Sequence, residues 1–135
     1  YPLRYTRYEF LADTGGAGQF RGGMGVARDI QFLDQSGMLN TQFDKFKVAP
    51  FGLFGGADGA CGSLTLERQG EVVNLASKTV NQDLRKGDII SMQTQGGGGF
   101  GDPSKRDEQM VRRDLREGKV SPQCAQQNHG VGPKE

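Results

Sequence analysis

The glycine-rich segment 94–103, TQGGGGFGDP, has the residue types and spacing closest to a known chemical motif. Gly96, Gly98 and Gly101 satisfy the GxGxxG spacing that lets a loop backbone approach a dinucleotide pyrophosphate. Only about 30 residues follow this loop, and they contain no second strand to complete a βαβ unit. No GxxxxGK[ST] sequence occurs either. The spacing therefore indicates neither a Rossmann site nor a P-loop.

Two interpretations of this loop remain open. Consecutive backbone N–H groups ahead of a helix start can bind an anion such as a carboxylate or a phosphate. Alternatively, the glycines turn a tight corner beneath a packed Phe100, which we favour because glycine more often solves a problem of backbone geometry. Asp102, directly before Pro103, is typical of a turn or helix start rather than of a catalytic acid. The candidate contact residues of the loop are Gly96, Gly97, Gly98, Gly99, Phe100 and Asp102.

Arg21, in the sequence GQFRGG, is the most interesting charged residue. Held by glycines next to an aromatic residue, its guanidinium could bind a carboxylate through two hydrogen bonds, although a solvated loop arginine is the commoner outcome. Asp13, Asp58 and Asp88 lie beside glycine-rich turns, where aspartate is favoured for its backbone preferences.

His129 is the only histidine, so neither a Ser-His-Asp triad nor a multi-histidine metal site can be built from this chain unaided. Cys61, Cys124 and His129 would supply three metal ligands at most, whereas structural zinc sites normally show closely spaced ligand pairs. We predict no metal site and no catalytic residue. The two cysteines lack a CxxC arrangement and are expected to be free thiols, each a small buried hydrophobe, rather than a disulfide.

The first hundred residues read mostly as strands separated by glycine-rich loops at 13–25, 50–62 and 94–103. Residues 3–10, rich in tyrosine and phenylalanine with interleaved charges, predict a strand with one solvated face. Further strands are predicted around Ile30 and Phe32, around Phe46 and Val48, over 63–67 and 71–75 as a hairpin turning at Gln69-Gly70, and after a turn at Lys86-Gly87.

Two helices are predicted after Pro103. Ser104 with Asp107 resembles a capping box, and Gly118 supplies a stop. A second short helix begins at Ser121-Pro122 and frays near residue 129. The charged face of the first helix is expected to be solvated and receives no function. The order of elements predicts a mainly β fold, sandwich or barrel-like, over residues 1–103, with a helical tail over 104–135 packed on the same domain.

Composition sets further bounds on the function. The chain has 135 residues and a formal net charge of +1, so no overall field attracts nucleic acid or an anionic membrane. No apolar run approaches the roughly 20 residues needed to span a bilayer, and no signal-peptide core is present, which favours the cytoplasm. The chain opens on Tyr1 within a predicted strand, so we expect it to be part of something larger.

Four blocks of the chain resemble the C-terminal part of the hydantoinase B family. This family includes B-type chains of N-methylhydantoinases, the matching half of 5-oxoprolinases and a large subunit of acetone and acetophenone carboxylases. Phe100 stands where tyrosine is usual. In chain order the blocks are YPLRYTRYEFLADTGGAGQFRGGMGVARDIQF, PFGLFGGADGACG, LRKGDIISMQTQGGGGFGDPSKRD and VRRDLREGKVSPQCAQQNHGV.

The resemblance implies a cytoplasmic ATP-dependent system with large hydantoinase-A-like and hydantoinase-B-like subunits as partners. In such systems the A-type chain binds ATP and phosphorylates a carbonyl or amide oxygen, and the B-type chain helps to hydrolyse or carboxylate the activated substrate. ATP, Mg and a divalent metal are expected on those partners, with no cofactor bound by this chain. The metal-ligating and substrate-contacting residues of the family lie in its N-terminal part, which this sequence does not contain.

Three functions are compatible with that resemblance. The chain looks most like a small, non-catalytic subunit of an acetophenone-carboxylase-type complex, which carboxylates a ketone without biotin. The first alternative is a C-terminal fragment of a hydantoinase or oxoprolinase B-type chain, and the least favoured is a free-standing β-sandwich binding module. In a multi-chain complex, the three glycine-rich loops would pack closely against the large subunit, or the 94–103 loop would face the active site.

Overall fold

The computed structural model describes residues 1–132, which form seven strands and two short helices. Each strand pairs in antiparallel fashion with its neighbours. The strands are β1 (Leu3–Leu11), β2 (Gly25–Phe32), β3 (Ser36–Gln42), β4 (Ser63–Arg68), β5 (Glu71–Asn74), β6 (Lys78–Arg85) and β7 (Ile89–Gln93). The helices are α1 (Glu108–Arg116) and α2 (Pro122–His129), preceded by a 3-10 turn (Pro103–Lys105).

The strands form a five-stranded sheet in the order β1-β2-β7-β4-β5 and a two-stranded sheet of β3 and β6. In the larger sheet Ile30 lies opposite Ile90, and Ile90 lies opposite Leu66. Directly opposed residues point to the same face of a sheet, so these three side chains form one apolar row. The mainly β fold predicted from the sequence is confirmed, as two sheets rather than a closed barrel within residues 1–132.

The main core lies between the two sheets. Leu64, with 1% of its surface exposed, packs with Ile90 and with Leu84 of β6. Burying side chains of this size contributes about 1.5–3 kcal/mol each, before the cost of ordering the chain is subtracted. The smaller sheet is therefore held against the larger one by its inward side chains.

The strand predicted around Phe46 and Val48 is wrong. These residues lie in an irregular segment, and the strand falls earlier, over β3. Lys45 has a φ of 61°, which interrupts an extended backbone, and Phe46 stacks on Phe43 with ring centroids 5.6 Å apart and packs against the core. Phe46 packs against the core between Lys45 and Lys47, so the sequence shows the alternation of a strand although the segment is irregular.

The predicted hairpin is confirmed as β4 and β5. Gln69 and Gly70 have φ values of 53° and 85°, the pair of positive values that a tight hairpin turn of type I′ requires. The turn at Lys86-Gly87 is also present, with Gly87 at a φ of 94°. Local turn chemistry therefore predicts these two chain reversals correctly.

The helical tail forms a second, smaller core from Val111, Val120, Ala125 and Val131. The first helix begins at Glu108, later than predicted, because Asp107 caps it by accepting a hydrogen bond from the backbone of Gln109. Gly118, at a φ of 66°, follows its last turn as predicted. The second helix begins at Pro122 with Ser121 as its cap, again as predicted. No helix within residues 1–132 has the length and apolar character needed to cross a membrane.

Candidate functional site

The three glycine-rich loops pack against one another, and we call this assembly of residues 13–24, 50–62 and 94–102 the glycine bundle. The first and third loops are joined by backbone hydrogen bonds from Gly16 N–H to the Gly97 carbonyl and from Gly97 N–H to the Gly23 carbonyl, both 2.8 Å. Phe20 and Phe100 exchange a further pair at 3.0 and 2.9 Å. The first and third loops are therefore held together by hydrogen bonds between their backbones.

The second loop lies against the other two in the same way. Ala57 N–H donates to the Ala17 carbonyl of the first loop at 2.7 Å. Gly99 N–H of the third loop donates to the Ala57 carbonyl at 2.8 Å, and Leu53 N–H donates back to the Gly99 carbonyl at 2.9 Å. Each loop thus supplies the hydrogen-bond partners that a buried backbone needs.

Close approach of the three backbones explains the glycines. A Cβ at Gly96 would overlap the carbonyl oxygen of Thr14, and one at Gly98 would overlap that of Phe51. A Cβ at Gly18 would lie 2.7 Å from the Phe100 nitrogen. Residues 96–99 are not in the left-handed region, so lack of space, rather than backbone handedness, requires glycine there.

This packing decides what the 94–103 loop can offer a ligand. Gly96, Gly97 and Gly99 donate their N–H groups to carbonyls of Ala60, Gly23 and Ala57 respectively. Three of the four N–H groups in the glycine run are therefore already used inside the chain, which favours backbone geometry over anion binding. A contact role for Gly96, Gly97, Gly98 and Gly99 stays a prediction.

Phe100 is the member of the predicted contact set with an accessible apolar side chain. It lies between Phe20 and Phe54, at ring-centroid distances of 6.2 and 5.1 Å. The exposed fractions of Phe20, Phe54 and Phe100 are 63%, 79% and 45%. We call these three rings the phenyl cap. Phe100 is therefore packed against two other rings, in a cluster that stays half exposed on the glycine bundle.

Arg21 binds a carboxylate, but that carboxylate belongs to this chain. Its Nε donates to Oδ2 of Asp114 at 3.1 Å, and one terminal nitrogen donates to the Gly22 carbonyl at 2.7 Å. Arg106 donates to the same Asp114 oxygen at 2.7 Å and to the Gln19 carbonyl at 3.1 Å. This ion cluster fastens the helical tail to the first glycine-rich loop.

Sequence reasoning missed Asp114, because the charged face of α1 was expected to be solvated. Only 5% of its surface is exposed. Residues three apart on a helix share a face, so the position of Asp114 three residues after the buried Val111 was the available signal. A carboxylate on a buried helical face needs a cation, which Arg21 and Arg106 supply.

Asp102 acts locally. Its carboxylate accepts hydrogen bonds from the backbone N and the Oγ of Ser104, at 2.9 and 2.8 Å, at the start of the 3-10 turn. These hydrogen bonds hold the pKa of Asp102 below its usual value. An acid kept ionised in this way stabilises a turn and is a poor proton donor at neutral pH.

The other three singled-out aspartates also bond within the chain. Asp13 accepts from Ser121 N at 2.8 Å, and Asp58 accepts from Gly52 N at 2.9 Å. Asp88 is buried and receives Nε and a terminal nitrogen of Arg68, at 3.0 and 2.7 Å, which lower its pKa. Asp13 and Asp88 therefore hold distant segments of the chain together, whereas Asp58 stabilises its own loop.

The remaining candidates do not converge on a metal site. Cys124 and His129 line a small cleft of about 30 Å³ beside Arg21 and Asp13, where Nδ1 of His129 lies 2.8 Å from the Pro103 carbonyl oxygen. Cys61 is exposed, so the expectation that it is a buried hydrophobe is wrong. Across residues 1–132, no three His, Cys, Asp or Glu side chains are grouped to hold a metal ion.

The sequence and the fold both match proteins of one family. The family model for Hydantoinase B/oxoprolinase matches residues 1–103, so the chain belongs to that family. A putative B-type chain of a D-/L-hydantoinase from Pseudomonas sp. (strain NS671) is 35% identical over 133 residues, covering 97% of this chain and 22% of the relative.

Two solved structures have the same fold. An ATP-dependent caprolactamase from Pseudomonas jessenii superposes with a TM-score of 0.83 and 27% identity, over 99% of this chain and 24% of that one. A nucleotide-free acetone carboxylase superposes with a TM-score of 0.82 and 21% identity, over 96% of this chain and 22% of that one, which shows the fold alone. The chain thus spans about a quarter of the length of the proteins it matches.

Proposed function

We propose that this chain is a structural, non-catalytic unit of a cytoplasmic ATP-dependent enzyme of the hydantoinase B type, one that opens a cyclic amide. The observation that carries the proposal is the superposition of 99% of the chain on a quarter of an ATP-dependent caprolactamase chain. In this proposal the unit completes a hydantoinase-B-like chain, which works with a hydantoinase-A-like partner.

The internal bonding of the polar residues supports a structural role. The buried carboxylates of Asp88 and Asp114 are paired with arginines, and Asp102 caps a turn. The pKa values of Asp88 and Asp102 are lowered by these hydrogen bonds, which suits scaffolding better than proton transfer at neutral pH. The enzyme's acid–base groups would therefore come from outside these 135 residues.

ATP, Mg and a divalent metal would be bound by the rest of the enzyme. The glycine bundle does not fit a phosphate, because three N–H groups of its glycine run donate to carbonyls of the chain itself. In this proposal no step of the reaction runs through this chain's own residues.

Cyclic amides are the favoured substrates because of the relatives. The putative hydantoinase chain is 35% identical to this chain and the caprolactamase structure is 27% identical. Both names describe enzymes that cleave a ring amide, whereas the acetone carboxylase likeness is limited to the fold. Biotin-independent carboxylation of a ketone such as acetophenone is the second candidate, because the family that the sequence blocks resemble includes the acetone and acetophenone carboxylases.

The test is native mass spectrometry of the assembly purified from its own host, followed by ATP-hydrolysis assays. We expect the 135-residue sequence to be found with hydantoinase-A-like and hydantoinase-B-like sequence, as a separate chain or within a longer one. Hydantoin, 5-oxoproline and caprolactam should stimulate ATP hydrolysis without bicarbonate. Stimulation only by acetone or acetophenone with bicarbonate would select the carboxylase candidate, and a protein found without hydantoinase-like sequence would refute both.

A further inference from the structure

The edge strand β1 carries an apolar row that the fold leaves open. Tyr5 lies opposite Ile30, Tyr8 opposite Arg28, and Phe10 opposite Val26 of β2. Because directly opposed residues share a face, the side chains of β1 extend the face of the sheet on which Ile30 joins the apolar row of the core. We call Leu3, Tyr5, Tyr8 and Phe10 the β1 aromatic face.

The side chains of this face are apolar or aromatic, like those of a core, but they are exposed to solvent. The exposed fractions of Leu3, Tyr5, Tyr8 and Phe10 are 43%, 60%, 65% and 68%, whereas Ile30 on the adjoining strand is 8% exposed. The two-stranded sheet packs against the core residues of β2, β4 and β7, and that core contains no side chain of β1. Contiguous exposed apolar side chains of this kind mark interaction surfaces.

Two grooves lie along the open face, and the larger one reaches the core. One, of about 260 Å³, is lined by Leu3 together with Ile30, Met38 and Met92. The other, of about 90 Å³, lies toward the opposite end of the strand and is lined by Tyr8, Phe10 and Val26 with Glu9. Side chains from a docking segment could enter both grooves and extend the core across β1.

The arginines on the two faces of the β1–β2 pair differ in whether they are ion-paired. On the polar face Arg7 is paired with Glu9 and lies 3.9 Å from Asp29. On the aromatic face the Arg28 guanidinium lies over the Tyr8 ring, 5.1 Å from its centroid, and makes no ion pair within residues 1–132. One terminal nitrogen of Arg28 donates to the Tyr8 hydroxyl at 3.4 Å, and its Nε is buried without a hydrogen-bond partner among the described residues.

We propose that the β1 aromatic face docks the part of a hydantoinase-B-type chain that lies outside these 135 residues, through an apolar segment that places a carboxylate at Arg28. This inference rests on the proposed function. The comparison with the caprolactamase indicates what covers this face. Nearly all of this fold superposes on 24% of the caprolactamase chain, so the remaining three quarters of such a chain would pack against it. Aromatic residues and arginine are also the side chains that most often dominate binding at interfaces.

The experiment is site-specific photo-crosslinking in the assembly purified from its host. Phe10 is replaced by the photoreactive analogue p-benzoylphenylalanine, which keeps an aromatic ring at that position. The matched control carries the same analogue at Val80, an equally exposed apolar residue on β6. Crosslinked peptides are then identified by mass spectrometry, which works whether the partner segment is a separate chain or part of the same polypeptide.

We expect the Phe10 variant to crosslink to hydantoinase-B-like sequence outside residues 1–135, and the Val80 variant not to do so. Where the partner is a separate chain, Tyr8→Ser should also weaken its affinity about thirtyfold, whereas Arg4→Ser, at an exposed position on the opposite face of β1, should leave it unchanged. If the assembly forms but the Phe10 variant gives no crosslink to sequence outside residues 1–135, the docking inference is refuted and the proposed function stands. If no hydantoinase-B-like sequence is present in the purified assembly, the proposed function itself fails.

Discussion

The sheet core and the glycine bundle hold this molecule together in opposite ways. In the core, side chains such as Leu64 and Ile90 fill the space between two sheets, and stability depends on the volume they occupy. In the bundle, backbones touch directly, and stability depends on side chains being absent at positions such as Gly22. The glycines are therefore needed for packing within the chain, and they do not indicate a contact with a partner. The exposed aromatic face of β1 is the better candidate for a docking surface.

The largest effect should come from a single methyl group in the bundle. A Cβ at Gly22 would overlap the Gly97 carbonyl oxygen, whereas one at Gly23 would meet no atom within 4 Å. We expect Gly22→Ala to lower the free energy of unfolding by about 4 kcal/mol or more, and Gly23→Ala to change it by less than about 0.5 kcal/mol. Denaturant unfolding followed by circular dichroism measures both, and equal losses would contradict the steric account.

The sheet core should respond to removed volume instead of added volume. Leu64→Ala is expected to cost about 3 kcal/mol, because it leaves a cavity at a nearly inaccessible position. Leu64→Met, which conserves volume, should cost less than about 1.5 kcal/mol. The same unfolding measurement applies, and a core that tolerates Leu64→Ala as well as Leu64→Met would not be close-packed.

The ion cluster between the bundle and the helical tail should give an intermediate effect. Asp114→Asn leaves Arg21 and Arg106 without their buried carboxylate, and we expect a loss of about 2 kcal/mol. Glu108→Gln removes an exposed carboxylate that pairs with Arg112 on the same helix, and should cost less than about 0.5 kcal/mol. Unfolding free energies measured at neutral pH compare the two, and a similar small loss in both would show that the buried cluster adds little.

The smallest effect should be a dependence of stability on acid pH at the end of the sheet core. The Arg68 guanidinium lowers the pKa of Asp88 below its usual value of 3.8, so the unfolded chain binds this proton more readily than the folded one. The pair therefore stabilises the fold fully above pH 3.8, and that contribution is lost as the pH falls through the folded-state pKa. Asp88→Asn should flatten this part of the stability-against-pH curve, and an unchanged slope would mean that other carboxylates cause it.

Local features of the fold could be predicted from the sequence, and long-range ones could not. The β4–β5 hairpin follows from a two-residue turn at Gln69-Gly70, which specifies its own geometry. The pairing of β3 with β6 joins segments about 40 residues apart and has no local signal. That is why the irregular segment around Phe46 could be mistaken for a strand.

The candidate site shows the same limit. The sequence indicated that Arg21 could bind a carboxylate through two hydrogen bonds, and in the structure it donates one, to a carboxylate of this chain. The close backbone approach that glycines allow is present in the glycine bundle. The sequence could not indicate the partners, since Asp114 lies 93 residues from Arg21 and the facing backbones come from three separate loops. For the same reason, a Gly98→Ala substitution would disturb the fold itself, because its Cβ would overlap the Phe51 carbonyl oxygen within the chain.

The most direct test of the account is hydroxyl-radical footprinting of the native assembly. All three tyrosines of the sequence, Tyr1, Tyr5 and Tyr8, lie on or next to β1, and the phenyl cap reports on the glycine bundle through Phe54. We predict that Tyr5 and Tyr8 are strongly protected relative to their intrinsic reactivity, while Phe54 is oxidised as its exposure implies. Oxidised tyrosines beside a protected Phe54 would contradict the account and place the docking surface on the glycine bundle.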